Sequence, residues 1–388
     1  MVFERHRLPH QWERPVWRYS NPVAISFGVG AFAELPKLIR GQPYALVTYP
    51  DAPFSALAER LQDIAGSPVL TIDDVAPNPD TKLLTEQSAR FSAAAPETIV
   101  ALGGGSVIDT AKVLAASRQG FPNVLRYLQT GGGAEALSAI RIIAVPTTAG
   151  TGSEVTSWAT VWDTQSGKKY SLSRPNLYPT DAVIDPGLMT GKPRQLTIST
   201  GLDALSHALE SLWNKNVNPV SAQHAVAAAR EIFAVLPTLI SDLTNVNLRS
   251  RMAAAALSAG LAFSNTRTAI AHSISYPVTL HHHVVHGIAC SFTLPMILRS
   301  VAGGGGLTGE GLTQIFGANL EAGADRLTDF LAGLGVSTDF RTYGIEPAAW
   351  SRLIADAFDG ERGQNFIGTR QALLQVAGLK EYANAKMH

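Results

Sequence analysis

The chain has 388 residues, of which 46% are hydrophobic and 16% charged, and its formal net charge is zero. Single cores rarely grow past roughly 250–300 residues, so two domains are expected. The neutral balance advertises neither a nucleic-acid nor an acidic-membrane partner. No apolar run reaches the roughly 18 residues that a membrane span needs, and the single cysteine, Cys290, excludes an internal disulfide.

The N-terminal stretch MVFERHRLPHQWERPVW carries charges throughout and lacks the apolar centre of a secretory signal, so a soluble cytoplasmic protein is expected. Short β-rich runs then alternate with helical stretches. VAISF, YALVTY, VLTID, TIVAL, IRIIAVP and AVID are separated by segments such as FSALAERLQDIAG and LLTEQSARFSAAA. That alternation predicts βαβ units and a mostly parallel sheet over residues 1–185. After Asp185-Pro186 the strand signals nearly vanish. GLDALSHALESLW, SAQHAVAAAREIFAVLPTLI, RSRMAAAALSAGLAF and LTQIFGANLEAGADRLTDFLAGLG read as helices, so residues 186–388 are expected to form an all-helical domain. Gly303 to Gly306 read as a loop between two of its helices.

Two glycine and hydroxyl loops lie in the first half. TIVAL runs into Gly103-Gly104-Gly105, and Ser106 with Asp109 has the spacing of a capping box at the start of a helix. A strand, a tight turn and a helix N-terminus form a phosphate site, because free N–H groups and the helix dipole attract an anion and missing Cβ atoms let it approach. IIAVP leads into Thr147-Thr148-Ala149-Gly150-Thr151-Gly152-Ser153, which offers donors to a ribose or phosphate, or merely bonds to itself. It lacks the G-K-[ST] ending of a P-loop. Gly28 and Gly30 follow the first strand without the third glycine of the G-x-G-x-x-G fingerprint.

The second half carries the clearest chemistry. Asp203 and His207 are four residues apart, which on a helix makes them neighbours with Cβ atoms roughly 5–6 Å apart. His272 closes the apolar run GLAFSNTRTAIAH, and Pro277 is expected to stop that helix and turn the chain back to His286, where the run IACSFTLPMIL begins. Any one of these side chains could be a satisfied core residue. Together they form a candidate set of one carboxylate and three imidazoles, which suits Fe(II) or Zn(II) better than Ca(II) or Mg(II). His281, His282 and His283 stand in the same region as alternatives, while Cys290 reads as an inert buried thiol.

In their order, GGGSVIDTAK, PTTAGTGSEVT, DPGLMTGKP, TGLDALSHALES and AH followed fourteen residues later by His286-Gly287 resemble the iron-containing (group III) alcohol dehydrogenase family over nearly the whole chain. The resemblance implies a dinucleotide-binding α/β domain, an all-α metal and substrate domain and an active site between them, the architecture shared with dehydroquinate synthase. It implies that Asp203, His207, His272 and His286 bind the metal. Gly104, Gly105 and Ser106 would hold a pyrophosphate, Thr147, Thr148 and Ser153 would line the cofactor groove, and Lys169 would touch ribose or phosphate, Lys168 being a weaker candidate. The implied activity is hydride transfer between NAD or NADP and a small aldehyde or primary alcohol, in a homodimer.

The chain departs from the family pattern in three places. Tyr276 stands four residues after His272, where many members have a histidine, so the proton route falls to Tyr276, to a residue such as His282, or to the cofactor ribose. Tyr49, with Asp51 two positions on, occupies the end of the second strand, where an Asp commonly selects against NADP, so coenzyme choice stays open. GQNFIGTRQALL replaces the family's NPR segment. FSNTRTAIAHSISYP with HGIACSFTLP is similar to the phosphonate-associated branch, which implies reduction of phosphonoacetaldehyde to 2-hydroxyethylphosphonate, with Arg267 as the anion anchor and Arg174 and Arg370 as further candidates. Two other readings stand beside this one: a metal-independent enzyme like the maleylacetate reductases, and a non-enzymatic nucleotide- or metal-binding protein with a coordinatively closed structural ion.

Overall fold

A computed structural model describes residues 16–379, so the charged N-terminal stretch falls almost wholly outside the described residues. The six β-rich runs form one sheet: β1 (Ala24–Phe27), β2 (Tyr44–Val47), β3 (Leu70–Ile72), β4 (Thr98–Gly103), β5 (Arg141–Pro146) and, later in the chain, β8 (Asp181–Ile184). Its order is β1-β8-β5-β4-β2-β3 and every pairing is parallel. Strands such as TIVALG are buried along their length, as a sheet covered on both faces requires. The covering helices are α1 (Leu35–Ile39), α2 (Ala52–Ala65), α3 (Thr81–Ala94), α4 (Gly105–Ala116) and α5 (Phe121–Thr130).

Register decides where the two loops emerge. Gly103 at the end of β4 pairs with Pro146 at the end of β5, and Thr147 N–H donates to the Gly103 carbonyl at 3.0 Å. The glycine turn and the threonine loop therefore leave the same carboxyl edge side by side. That edge is where open α/β sheets bind ligands, next to the point where strand order reverses. An antiparallel hairpin not anticipated from sequence, β6 (Trp158–Asp163) and β7 (Lys168–Ser173), rises beside it and sets Lys169 opposite Trp162.

From Arg194 onward the described chain is helical: α6 (Arg194–Leu212), α7 (Pro219–Leu239), α8 (Val246–Thr266), α9 (Ile270–His282), α10 (His286–Ser291), α11 (Leu294–Ser300), α12 (Gly306–Phe316), α13 (Leu320–Gly333), α14 (Pro347–Asp356), α15 (Glu361–Gln364) and α16 (Arg370–Val376). The four-glycine run connects α11 to α12 as expected. The last long helical stretch divides at Gly317, whose φ of 78° no helix continues through. The middle of α6 is buried on every side, so the Asp, His and Glu it carries stand inside a core of Leu and Ala.

Two local expectations fail. Pro277 does not end a helix: the break comes earlier, at Arg267 with φ 65°, and α9 runs through Pro277 to His282. Proline removes only one main-chain donor, and packing of α9 against α6, α10 and α15 outweighs that loss. Nor do Ser106 and Asp109 form a capping box. Gly104 is the N-cap of α4 without any side-chain bond, Ser106 Oγ accepts from Asn78 N–H at 3.3 Å, and Asp109 turns inward.

Candidate active site between the sheet edge and the helical core

A cleft of about 860 Å³ separates the loop edge of the sheet from α6, α8 and α9. On the sheet side, Gly104, Gly105, Ser106, Thr147, Thr148 and Tyr49 line it, which brings together the residues expected to hold a cofactor. Thr147 Oγ1 is buried without a partner and so retains a donor. The threonine loop passes close to α8: a Cβ on Gly152 would lie 2.8 Å from Gly260 Cα, and its φ of 61° also excludes most side chains.

Ser153 lines the cleft but its hydroxyl is already used. It donates to Asp109 Oδ1 at 2.7 Å and accepts from Lys112 Nζ at 2.9 Å. Lys112 also reaches the Ser153 carbonyl, Thr156 Oγ1 and the Trp158 carbonyl at 2.7, 3.2 and 2.9 Å, while Asp109 Oδ2 accepts from Thr160 N–H at 2.8 Å. Burial pushes the Lys112 ammonium down to about 8, and nearby Asp109 and Glu154 work against that shift. This network, absent from the sequence reading, pins α4 to the threonine loop and β6. Lys112→Met removes the cation near the buried Asp109 carboxyl and takes the Lys112 donor from the Ser153 and Trp158 carbonyls, so it is expected to cost about 3–5 kcal/mol of stability, measured by chemical denaturation. A loss under about 1 kcal/mol, the range of an exposed ion pair, would contradict this role.

On the helical side, Asp203 and His207 project from one face of α6, His272 lies in the first turn of α9 and His286 opens α10. The Nε2 atoms of His207, His272 and His286 stand 3.7, 3.5 and 4.0 Å from Asp203 Oδ1. His207 is fixed by stacking on Phe263, with centroids 4.0 Å apart and planes 7° apart. Burial pushes His207 down to about 4 and His286 down to about 3, leaving both imidazoles neutral with lone pairs free. Burial also opposes the charge on Asp203, yet His207, His272 and His286 hold its carboxyl below the usual carboxylate range.

Asp203 Oδ1 and His272 Nε2 are buried without hydrogen-bond partners. Unpaired acceptors of this kind are costly unless something binds them, and an oxygen with imidazole nitrogens is the donor set of a borderline transition metal. The residues fit a divalent ion. Cys290 is buried as expected, and burial pushes its thiol up, but it is not remote from the cluster. Its Sγ lies 3.6 Å from His286 Nε2, and donor atoms of Asp203, His272, His286 and Cys290 all fall within 4.8 Å of one another.

Glu210 was missed in the sequence, although it continues the face of Asp203 and His207 at a spacing of seven and three residues. Fully buried, it accepts from Ala271 N–H at 2.6 Å and His272 N–H at 3.2 Å, capping α9, and meets His272 Nδ1 at 2.5 Å. The Nδ1 proton is thereby committed to Glu210, and Nε2, with a free lone pair, is turned toward Asp203 Oδ1, 3.5 Å away. Glu210→Gln is expected to weaken metal affinity roughly 10- to 100-fold with little change in shape. Competitive chelator titration reads this, and unchanged affinity would remove Glu210 from the site.

The remaining candidates separate. Tyr276 faces the cleft, its ring parallel to His286 at 6.2 Å, and Lys169 Nζ lies 3.5 Å over that ring. His281 and His283 are exposed, and His282 ends α9 outside the cleft, so the proximity that a ligand or proton carrier needs is missing. Arg267 stands half-exposed at the cleft mouth in an ion pair with Glu361. Arg174 donates to the Ala134 and Leu137 carbonyls and Arg370 pairs with Asp359, both away from the cleft. Arg362, unmarked in the sequence, does line it.

A transition-metal donor cluster facing a groove of glycine and threonine loops defines a metal- and nicotinamide-dependent oxidoreductase. Residues 22–186 match the iron-containing alcohol dehydrogenase family and residues 197–375 match the C-terminal region of the Fe-containing alcohol dehydrogenase family; the chain belongs to this family. It is 33% identical over 239 residues to 1-propanol dehydrogenase of Salmonella typhimurium, a match spanning 62% of this chain and 61% of that enzyme. It is 34% identical over 293 residues to phosphonoacetaldehyde reductase of Streptomyces viridochromogenes, covering 72% and 74%. Sulfoacetaldehyde reductase from Bifidobacterium kashiwanohense, solved in complex with NAD+, superposes with a TM-score of 0.87 at 30% identity over 96% of this chain and all of that one.

Proposed function

We propose that the protein is a metal-dependent, NAD(P)-linked reductase of a small aldehyde, with residues 1–185 binding the dinucleotide and residues 186–388 the metal. One observation carries the reading: the unpaired donors of Asp203 and His272 open onto the same cleft as the Gly104–Ser106 turn. Phosphonoacetaldehyde, reduced to 2-hydroxyethylphosphonate, is the substrate favoured by the relative named for it.

When bound, Fe(II) or Zn(II) held by Asp203, His207, His272 and His286 would supply Lewis-acid polarisation of the carbonyl, and the nicotinamide would supply the hydride. The protein's own part is orientation. The N-terminus of α4 would hold the pyrophosphate, Thr147 and Thr148 line the groove beside it, and the Tyr49 hydroxyl stands near Gly104. Glu210 holds the His272 tautomer. Of the side chains considered for proton transfer, Tyr276 alone faces the cleft, and burial pushes its phenol above the usual range, so it is protonated near neutral pH.

The test is NADH and NADPH oxidation by protein reconstituted with Fe(II) or Zn(II), with phosphonoacetaldehyde beside uncharged aldehydes and a chelated control. Turnover abolished by chelation is expected. Full turnover in the chelated protein would sink the metal-dependent reading.

A further inference from the structure

Among the described residues, Arg362 and Lys169, both beside Tyr276, line the cleft without a carboxylate partner; Lys192, which also lines it, lies over Phe54. Arg362, in α15, is held by one bond from its Nε to Thr268 Oγ1 at 2.9 Å, and its guanidinium carbon lies 4.8 Å from the centre of the Tyr276 ring. Lys169, from the β6–β7 hairpin on the other wall, places Nζ 3.5 Å from the same ring centre. Among the described residues no carboxylate forms an ion pair with either, whereas Arg267 and Arg370 are matched with Glu361 and Asp359. Burial, and after it Arg362, pulls the Lys169 ammonium down to about 7, so the two charges oppose each other across one aromatic ring. Like charges converging on a cleft raise a local potential that an anion would relieve.

Position says which anion. Tyr276 is stacked on His286, so the two cations stand one ring away from the metal donors. The cofactor's phosphates have a separate site, at the N-terminus of α4 on the sheet side. Thr268 and Arg362 come from the helical side, beside His272. An acidic head joined to an aldehyde by one carbon lies within a few ångströms of its carbonyl and would reach this ring. The expected contact of Lys169 with the cofactor is compatible, because the nicotinamide end must lie next to the reacting carbon.

We infer that Arg362, Lys169 and the Thr268 hydroxyl form a subsite for the tetrahedral oxyanion head, phosphonate or sulfonate, of an aldehyde substrate, and that Arg362 selects such substrates over neutral aldehydes. This rests on the reductase reading above. Guanidinium binds two oxygens of such a head at once, and Lys169 adds a point charge on its other side.

The experiment compares kcat/KM for phosphonoacetaldehyde, sulfoacetaldehyde and propanal in the metal-loaded full chain, its Arg362→Gln and Arg362→Lys variants and Lys169→Gln. Binding of 2-hydroxyethylphosphonate to the NAD+-loaded proteins is measured by calorimetry. Arg362→Gln is expected to lower the ratio of kcat/KM for the anionic aldehydes to that for propanal roughly 10- to 100-fold, with partial recovery in Arg362→Lys. Lys169→Gln tests the same subsite from the opposite wall, so misfolding around α15 cannot decide the matter. Loss of activity toward all three aldehydes by one common factor would overturn the subsite. The relative loss for phosphonate against sulfonate tells which head it prefers. If the wild type reduces none of the aldehydes, the reductase reading fails and calorimetry alone judges the subsite: binding that Arg362→Gln weakens supports it, and absent or equal binding overturns it.

Discussion

Asp203→Asn is expected to leave the protein folded, strip it of its divalent metal and lower aldehyde reduction by roughly a thousand-fold. Asp203 supplies the formal negative charge among the four proposed ligands, and its Oδ1 is the atom on which the imidazoles of His207, His272 and His286 converge. The amide keeps the shape while removing that charge. Lewis-acid polarisation is worth several kcal/mol, and each 1.36 kcal/mol of barrier is tenfold in rate, which sets the scale of about three decades. Elemental analysis after gel filtration and NADH oxidation measure the two halves of the expectation. Full metal content with full turnover would show that the ion does not depend on Asp203. It would then draw attention to Cys290 Sγ, the other potential anion at the cluster.

Gly287→Ala is expected to be damaging for a different reason. A Cβ there would lie 1.9 Å from the Ser199 carbonyl oxygen and 2.7 Å from its carbon. These are backbone atoms of α6, which cannot swing aside, so α10 must move away from α6 as a body. His286, the first residue of α10, moves with it. Overpacking at a rigid contact costs about 1–3 kcal/mol and occasionally more, and the upper end is expected here. Chemical denaturation of the metal-free protein should show the lower stability, and chelator competition should show weakened metal binding. The two results separate this variant from Asp203→Asn, which loses metal without losing the fold. Unchanged stability in Gly287→Ala would mean that α6 and α10 are not locked together at this point.

The same contrast between local pattern and three-dimensional contact runs through the molecule. The central strands β2, β4 and β5 were legible as sequence because a strand covered on both faces must be apolar along its length, and that signal needs no knowledge of neighbours; the edge strands β1 and β3 were legible from their β-rich composition alone. Asp203 and His207 were legible because a helix places positions four apart on one face. Gly104 and Gly105 were legible because a turn between a buried strand and a helix has few solutions. In each case the information lies within a dozen residues.

What depended on distant partners could not be read that way. The β6–β7 hairpin mixes polar and apolar residues because one side faces the cleft, and its register with Trp162 is what sets Lys169 over Tyr276. Ser106 and Asp109 have the spacing of a capping box, yet Asn78, Ser153 and Thr160 offer them better-placed partners from elsewhere in the chain. Pro277 is a helix breaker in isolation, but tertiary packing carries α9 through it. Sequence alone determined a parallel α/β half and a helical half, and it pointed to Asp203, His207, His272 and His286 as a candidate metal-binding set. Tertiary structure alone decided that Glu210 orients His272, that Lys112 ties the threonine loop to α4, that Cys290 stands at the cluster and that Arg362 rather than Arg267 enters the cleft unpaired. The bonds of Lys112, Glu210 and Arg362 join residues 41 to 94 positions apart, and only the folded chain brings them within hydrogen-bonding distance.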